Sequence, residues 1–91
     1  MLAISIVESP RRRRLVVVGK LIGPWAAELA SSYQKATVDL NGRDLILDLK
    51  GVTAVSAEGE RILLRLLNAG VKFRCGIYAK EVLRRLVSAF G

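Results

Sequence analysis

Histidine is absent from this chain, and cysteine occurs once, as Cys75. Without histidine the chain lacks the usual general base at neutral pH, so the Ser-His-Asp and Cys-His triads are excluded. The common nitrogen and sulfur metal cages are excluded as well. These absences predict a protein that is not an enzyme and that binds no metal and no cofactor.

The single cysteine cannot form an internal disulfide, which favours a reducing cytoplasm. Cys75 lies in an apolar stretch and is predicted to be a buried structural thiol. Residues 1–7 lack the basic start and cleavage site of a signal peptide. No stretch reaches the roughly 18 uninterrupted apolar residues that a membrane-spanning helix needs. We therefore expect a cytoplasmic protein without a membrane span.

The chain has ample apolar material, because 52% of its 91 residues are hydrophobic and 25% are charged. This composition and length predict one folded domain over residues 1–91. The net charge is +7, and the run Arg11, Arg12, Arg13 and Arg14 carries four of these units. The run is interpreted either as a solvated turn or as a binding site for an anion or a nucleic acid.

Nucleic acid is not the expected partner, because binding to single strands needs exposed aromatic platforms among the basic groups. The aromatic residues are predicted to face mostly the core: Trp25, Tyr33, Phe73, Tyr78 and Phe90. The glycines are scattered and match neither the dinucleotide fingerprint nor the P-loop. Charge alone supports a nucleic-acid function.

Apolar periodicity and turn signals predict the element order β-β-α-β-α-β-α. Pro24 opens the first helix, Ser56 caps the second, and Lys50 and Gly51 are interpreted as a turn. Strands are expected at residues 2–7, 15–18, 45–49 and 71–78, and helices at residues 24–37, 57–68 and 79–90. Alternation of strands and helices favours parallel pairing of the last three strands. The predicted fold class is α/β, with a four-stranded, mixed but mostly parallel sheet and helices packed mainly on one face.

Asp48 closes the third predicted strand, where α/β sheets often place functional groups. No recognisable nucleophile or metal ligand accompanies it in the sequence. We therefore expect Asp48 to satisfy backbone amides of the turn.

Residues 45–59 read Leu-Ile-Leu-Asp-Leu-Lys-Gly-Val-Thr-Ala-Val-Ser-Ala-Glu-Gly. This stretch resembles the central motif of STAS domains, the anti-sigma factor antagonist family. In that motif an apolar strand ending Asp-Leu-x-Gly-Val precedes Asp-Ser-Ser-Gly at the start of a helix. The positions that match are Asp48, Leu49, Gly51, Val52 and Gly59. The likeness extends upstream to Gly19-x-Leu21 and downstream to Gly70-Val71, and it agrees with the predicted element order.

The resemblance implies a phosphorylation switch that this sequence alters. In the better-known members, a partner kinase phosphorylates the serine before the motif glycine and thereby breaks the complex. Glu58 occupies that position here, Ser56 replaces the motif aspartate, and Ala57 replaces the first motif serine. Glu58 is therefore either a constitutive charge at a docking surface or a helix N-terminal carboxylate. Ser56 and Thr53 leave a displaced phosphorylation site open, although an N-cap role is favoured for Ser56.

The resemblance further implies a non-catalytic regulatory domain that binds a protein. The expected contact residues are Thr53, Ala54, Ser56, Ala57, Glu58 and Arg61. The partner is either an anti-sigma kinase-like protein or the ATPase subunit of an ABC-type lipid transporter, for which the chain would be an accessory subunit. Two other classes of function stay open: an anion site at the arginine run, and a homodimer formed through the first strand or an uncovered sheet face.

Overall fold

A computed structural model describes the backbone of residues 2–90 and the side chains of residues 2–88. The elements are β1 (Leu2–Glu8), β2 (Arg12–Leu21), α1 (Pro24–Ala36), β3 (Asp44–Val55), α2 (Ala57–Asn68), β4 (Lys72–Arg74) and α3 (Ile77–Phe90). The predicted order β-β-α-β-α-β-α is confirmed. The predicted inward orientation of Phe90 lies outside the described side chains.

The four strands form one sheet in the order β1-β2-β3-β4. β1 and β2 pair antiparallel, whereas β2–β3 and β3–β4 pair parallel, as predicted. Helix α1 contacts β1 and β2, α3 packs on β3, and α2 packs between the two other helices. The helices cover one face of the sheet, and the opposite face, called the open face below, carries Arg14, Val16 and Val18 of β2.

The core lies between the sheet and the helices. Its fully buried side chains come from strands and helices alike: Leu15, Val17, Leu21, Leu29, Leu47, Leu49, Leu63 and Val82. Each such side chain contributes about 1.5–3 kcal/mol relative to an exposed one. This packing fixes the ends of β2 and β3 relative to α2.

β3 is longer than predicted, and the expected turn at Lys50 and Gly51 is wrong. The pairing of β2 with β3 shifts register after Val16 and again after Gly19, so β3 carries an extra residue at each point and continues to Val55. A Cβ on Gly51 would lie 2.9 Å from Cγ2 of Val18. The glycine is needed because two strands approach closely, not because the chain turns.

β4 is shorter than the predicted residues 71–78, and α3 begins at Ile77 rather than Ala79. The β3–β4 ladder ends at the pair Asp48 and Arg74, directly before the first register shift of β3. Since the bulged stretch offers no regular partner, the chain leaves the sheet there. Tyr78 is 42% exposed, so its predicted core-facing position is wrong. Trp25, Tyr33 and Phe73 pack partly buried against the core.

The arginine run is not the solvated turn that was one interpretation, because β2 begins at Arg12. Alternate residues of a strand face opposite sides of the sheet. Arg13 therefore points to the helix side, where it is 8% exposed, while Arg14 lies on the open face. Arg13 Nη1 donates to the carbonyl oxygens of Ala36 at 2.7 Å and Val38 at 2.6 Å. The positive charge also interacts favourably with the negative end of the α1 dipole.

Candidate protein-binding site

The six predicted contact residues lie together at one end of the sheet. Thr53 and Ala54 lie at the C-terminal end of β3, and Ser56 follows the strand. The remaining three residues lie in the first two turns of α2. Four of them are exposed, and Ala54 and Ser56 are half-buried. We call this set the docking surface: Thr53, Ala54, Ser56, Ala57, Glu58 and Arg61.

Ser56 is the N-cap of α2, as predicted. Its Oγ accepts hydrogen bonds from the backbone N–H of Gly59 and from that of Gly23, each at 3.3 Å. Its own N–H donates to the carbonyl oxygen of Leu21 at 3.0 Å. Ser56 therefore joins the β2–α1 connection to the start of α2, and a phosphoryl group on Oγ would displace both contacts.

The motif glycine, Gly59, is buried at the first turn of α2. A Cβ atom at this position would collide with the backbone oxygen of Leu21 and approach Cγ1 of Val55 to 3.0 Å. The helix thus begins in direct contact with the end of β2. This close packing fixes the height of the neighbouring Glu58 above the sheet.

Glu58 is exposed in the first turn of α2, which also contains the half-buried Glu60. Its own backbone N–H and the Ser56 hydroxyl hold the pKa of Glu58 below its usual value, and the positive charge of Arg61 acts in the same direction. The carboxylate is therefore ionised at neutral pH. The docking surface presents a negative group with a positive group one helical turn farther on.

A shallow groove of about 160 Å³ continues the docking surface between α2 and α3. Ala57 and Arg61 line it together with Glu60, Leu64 and Leu86. The groove adds apolar surface to the charged end of the helix. Such a combination of apolar centre and polar rim is typical of protein interfaces.

Ile77 and Tyr78 are neighbours of the site that the sequence did not indicate. Tyr78 Oη accepts a hydrogen bond from the N–H of Val55 at 3.1 Å, which ties the start of α3 to the end of β3. Ile77, the preceding residue, is 94% exposed. Both were interpreted as strand residues, and Gly76 was the sequence signal that could have placed a helix start here.

Asp48 lies on the open face and outside the docking surface. Its Oδ1 accepts the backbone N–H of Lys50 at 3.0 Å, as expected of a carboxylate that satisfies local amides. Its Oδ2 is 3.7 Å from Nε of Arg14. Among the described residues, His, Cys, Asp and Glu form no group of three that could ligate a metal.

Cys75 is half-buried rather than fully buried, which corrects the expectation for this thiol. Burial is the main cause that raises its pKa, and the negative charge of Asp48 adds to the effect. Within residues 2–90, none of the helices combines the length and the apolar character needed to cross a bilayer.

Comparison with known proteins shows likeness at the level of structure. No family model matches the sequence, and no curated protein matches it. The crystal structure of Mglu shares 19% identity over 78% of this chain with a TM-score of 0.59, and the chain spans 18% of the length of Mglu.

Two other solved structures match over most of their own length. An antisigma-factor antagonist STAS domain from Rhodobacter sphaeroides is 17% identical, with a TM-score of 0.51, over 82% of this chain and 85% of that one. An uncharacterized protein with a SpoIIAA-like fold from Shewanella loihica PV-4 is 17% identical, with a TM-score of 0.53, over 93% of each chain. With its strand order, its three helices on one face and these structural neighbours, the chain has the STAS, or SpoIIAA-like, fold.

Proposed function

We propose that the chain is a non-catalytic regulatory domain that acts in the cytoplasm by binding a protein partner through the docking surface. The observation that carries this proposal is the position of Glu58. An ionised carboxylate stands exposed at the start of α2. By the resemblance to STAS domains, its position corresponds to the phosphorylated serine of the better-known members. The fold that the chain shares with an antisigma-factor antagonist supports the same function.

The charge of Glu58 determines how the docking surface is regulated. A glutamate carries one negative charge, whereas a phosphoserine carries about 1.5 to 2 and more acceptor oxygens. The charge at position 58 therefore lies between that of an unphosphorylated serine and that of a phosphoserine. Partner binding is constitutive, and its affinity depends on the charges of Glu58 and Arg61.

Two partners fit this proposal, an anti-sigma kinase-like protein and the ATPase subunit of an ABC-type lipid transporter. Either one would contact Glu58 and Arg61 and bury the groove lined by Leu64 and Leu86. The two differ in chemistry, because a kinase would transfer phosphate to a serine placed at position 58.

The docking surface is tested by exchanging its charges. The Glu58→Lys/Arg61→Glu variant keeps the net charge and reverses the pattern. The matched control is Glu81→Lys/Arg84→Glu, because this exposed pair in α3 has the same spacing. In affinity capture from a lysate of the source organism, we expect the first variant to recover at least about tenfold less partner than the wild type, and the control to recover as much as the wild type. Equal capture by all three proteins would show that the surface is wrong.

The partner class is tested with Glu58→Ser and mass spectrometry, with and without phosphatase. Recovery of the same partner by both proteins, with phosphate on the serine variant alone, would identify a kinase-linked circuit. Recovery of the partner without phosphate, in the presence of ATP, would favour the transporter subunit. If both proteins retain nucleic acid or lipid and no protein, the proposed function fails.

Self-association through β1 is a second proposal, supported by the exposure of that strand. β1 is an edge strand, and its residues Ile6 and Val7 are 49% and 44% exposed. Unpaired edges of this kind offer N–H and C=O groups to another strand. A mass that rises with concentration in light scattering is expected, and a constant monomer mass would contradict it.

A further inference from the structure

A cavity on the open face of the sheet is lined by side chains that the docking surface does not use. Its volume is about 170 Å³, and its lining residues are Val7, Ser9, Arg12, Arg14, Ile46 and Arg74. We call it the arginine cavity. Two strands supply the arginines, because Arg12 and Arg14 come from β2 and Arg74 from β4. Arg12 and Arg14 lie opposite Asp44 and Ile46 of β3, and Arg74 lies opposite Asp48, so arginines from both sides of β3 line the same cavity.

The arginines of this cavity lack the partners that satisfy their neighbour in the run. Arg13 donates to the backbone oxygens of Ala36, Val38 and Asp39 and to the carboxylate of Glu8. Arg14 Nε, in contrast, is buried without a hydrogen-bond partner, and its nearest carboxylate oxygen, on Asp48, is 3.7 Å away. That distance exceeds hydrogen-bond reach. Within residues 2–88, the side chains of Arg12 and Arg74 take part in none of the ion pairs.

Charge and volume define the group that would complete this arrangement. The lining carries three guanidinium groups, and the one carboxylate near them is that of Asp48, 3.7 Å from Arg14. The sum leaves two positive charges, which match a phosphate dianion. Guanidinium groups donate paired N–H bonds in the geometry that phosphate oxygens accept. The cavity is smaller than the roughly 300–1,000 Å³ of whole-ligand sites, so it fits one anionic group and little more. Val7 and Ile46 supply apolar walls that strengthen the charge interaction.

We propose that Arg12, Arg14 and Arg74 form a binding site for a compact phosphate dianion, either inorganic phosphate or the phosphoryl group of a small monoester. The site is independent of the docking surface, because the two share no residue. The arginine run thus serves two purposes. Arg13 holds the end of α1, and its neighbours on either side face the ligand.

The site is tested by titrating the ¹⁵N-labelled protein with inorganic phosphate and, separately, with phenyl phosphate at constant ionic strength. We expect saturable shifts of backbone amide signals at residues 12–16, 46–48 and 72–74, and a rise in the melting temperature with phosphate. Equal affinities for the two probes would identify free phosphate as the ligand. Tighter binding of phenyl phosphate would identify a monoester.

The decisive comparison is between two variants that remove the same charge. Arg12→Gln/Arg74→Gln should weaken binding at least about tenfold, whereas Arg65→Gln/Arg85→Gln, at exposed helix positions, should bind like the wild type. Circular dichroism establishes that both variants are folded. Equal weakening in both variants, shifts that do not saturate, or shifts centred on the start of α2 would overturn the proposal.

Discussion

Gly59 packs directly on the backbone carbonyl of Leu21, so that the first turn of α2 meets the end of β2 with no side chain between them. Leu21 O also accepts the N–H of Ser56. The start of α2 and the end of β2 therefore form one rigid corner. The docking surface is built on this corner.

We expect Gly59→Ala to destabilise the protein even though alanine is the better helix former. The added Cβ would press on backbone, which costs on the order of 1–3 kcal/mol, while the gain in helix propensity is about 1 kcal/mol. Urea denaturation should show a net loss in the free energy of unfolding. The control Arg65→Ala, at an exposed position of the same helix, should change it by less than about 0.5 kcal/mol. A Gly59→Ala protein as stable as the wild type would contradict the close packing.

The arginine run should respond to substitution in an alternating manner. Arg13→Gln removes the donors to Ala36 O, Val38 O and Glu8, and we expect the free energy of unfolding to fall by about 1–3 kcal/mol, mainly because the buried oxygen of Ala36 stays unpaired. Arg12→Gln, one position earlier and exposed, should change stability by less than about 0.5 kcal/mol. Thermal or urea unfolding measures both. Equal effects would show that Arg13 is solvated after all.

Stability should depend on the ionisation of Glu8. Hydrogen bonds from Arg13 and then from Arg43 hold the pKa of Glu8 below its usual value. Because the folded pKa is the lower one, the contribution is complete above the unfolded pKa and is lost as the pH falls through the folded pKa.

Urea midpoints of wild type and Glu8→Gln, measured from about pH 7 to about pH 3, should therefore differ at neutral pH and converge in acid. Glu28→Gln is the control, since the Glu28 side chain has no ion pair within residues 2–88. A difference that persists unchanged in acid would contradict the assignment.

Cys75 should react slowly with alkylating agents while the protein is folded. The thiolate is the reactive form, and burial followed by the charge of Asp48 raises the pKa of this thiol. Mass spectrometry at mildly alkaline pH should show iodoacetamide labelling at least several-fold slower in the folded than in the urea-unfolded chain. Asp48→Asn, which keeps the Oδ1 acceptor, should speed labelling of the folded protein. Identical rates for folded and unfolded chains would count against the prediction.

The sequence was sufficient for the element order, for the Ser56 cap and for the grouping of the six predicted contact residues at one end of the sheet. Each of these depends on local signals, such as a capping hydroxyl three residues before a glycine N–H or the alternation of apolar periods. The STAS resemblance then predicted the fold that the structure has.

The features that the sequence did not predict depend on contacts between distant residues. Arg13 is buried because its guanidinium group donates to carbonyl oxygens at residues 36 and 38. The sequence around position 13 contains no signal for these distant acceptors. The bulges of β3 arise from its register with β2, where Val18 fills the space above Gly51. Predicting the arginine cavity would have required the strand order, because Arg74 and the pair Arg12 and Arg14 lie on strands that β3 separates.

β4 ends beside the bulged stretch of β3, and its short length also governs how copies of this chain could assemble by strand addition. At one edge of the sheet β4 offers three residues, whereas β1 offers seven at the other. A fibril requires two adhesive edges on every copy, and this sheet has one of useful length. Pairing of β1 with β1 would close into a symmetric dimer and stop there, so the short fourth strand protects the protein from open-ended aggregation.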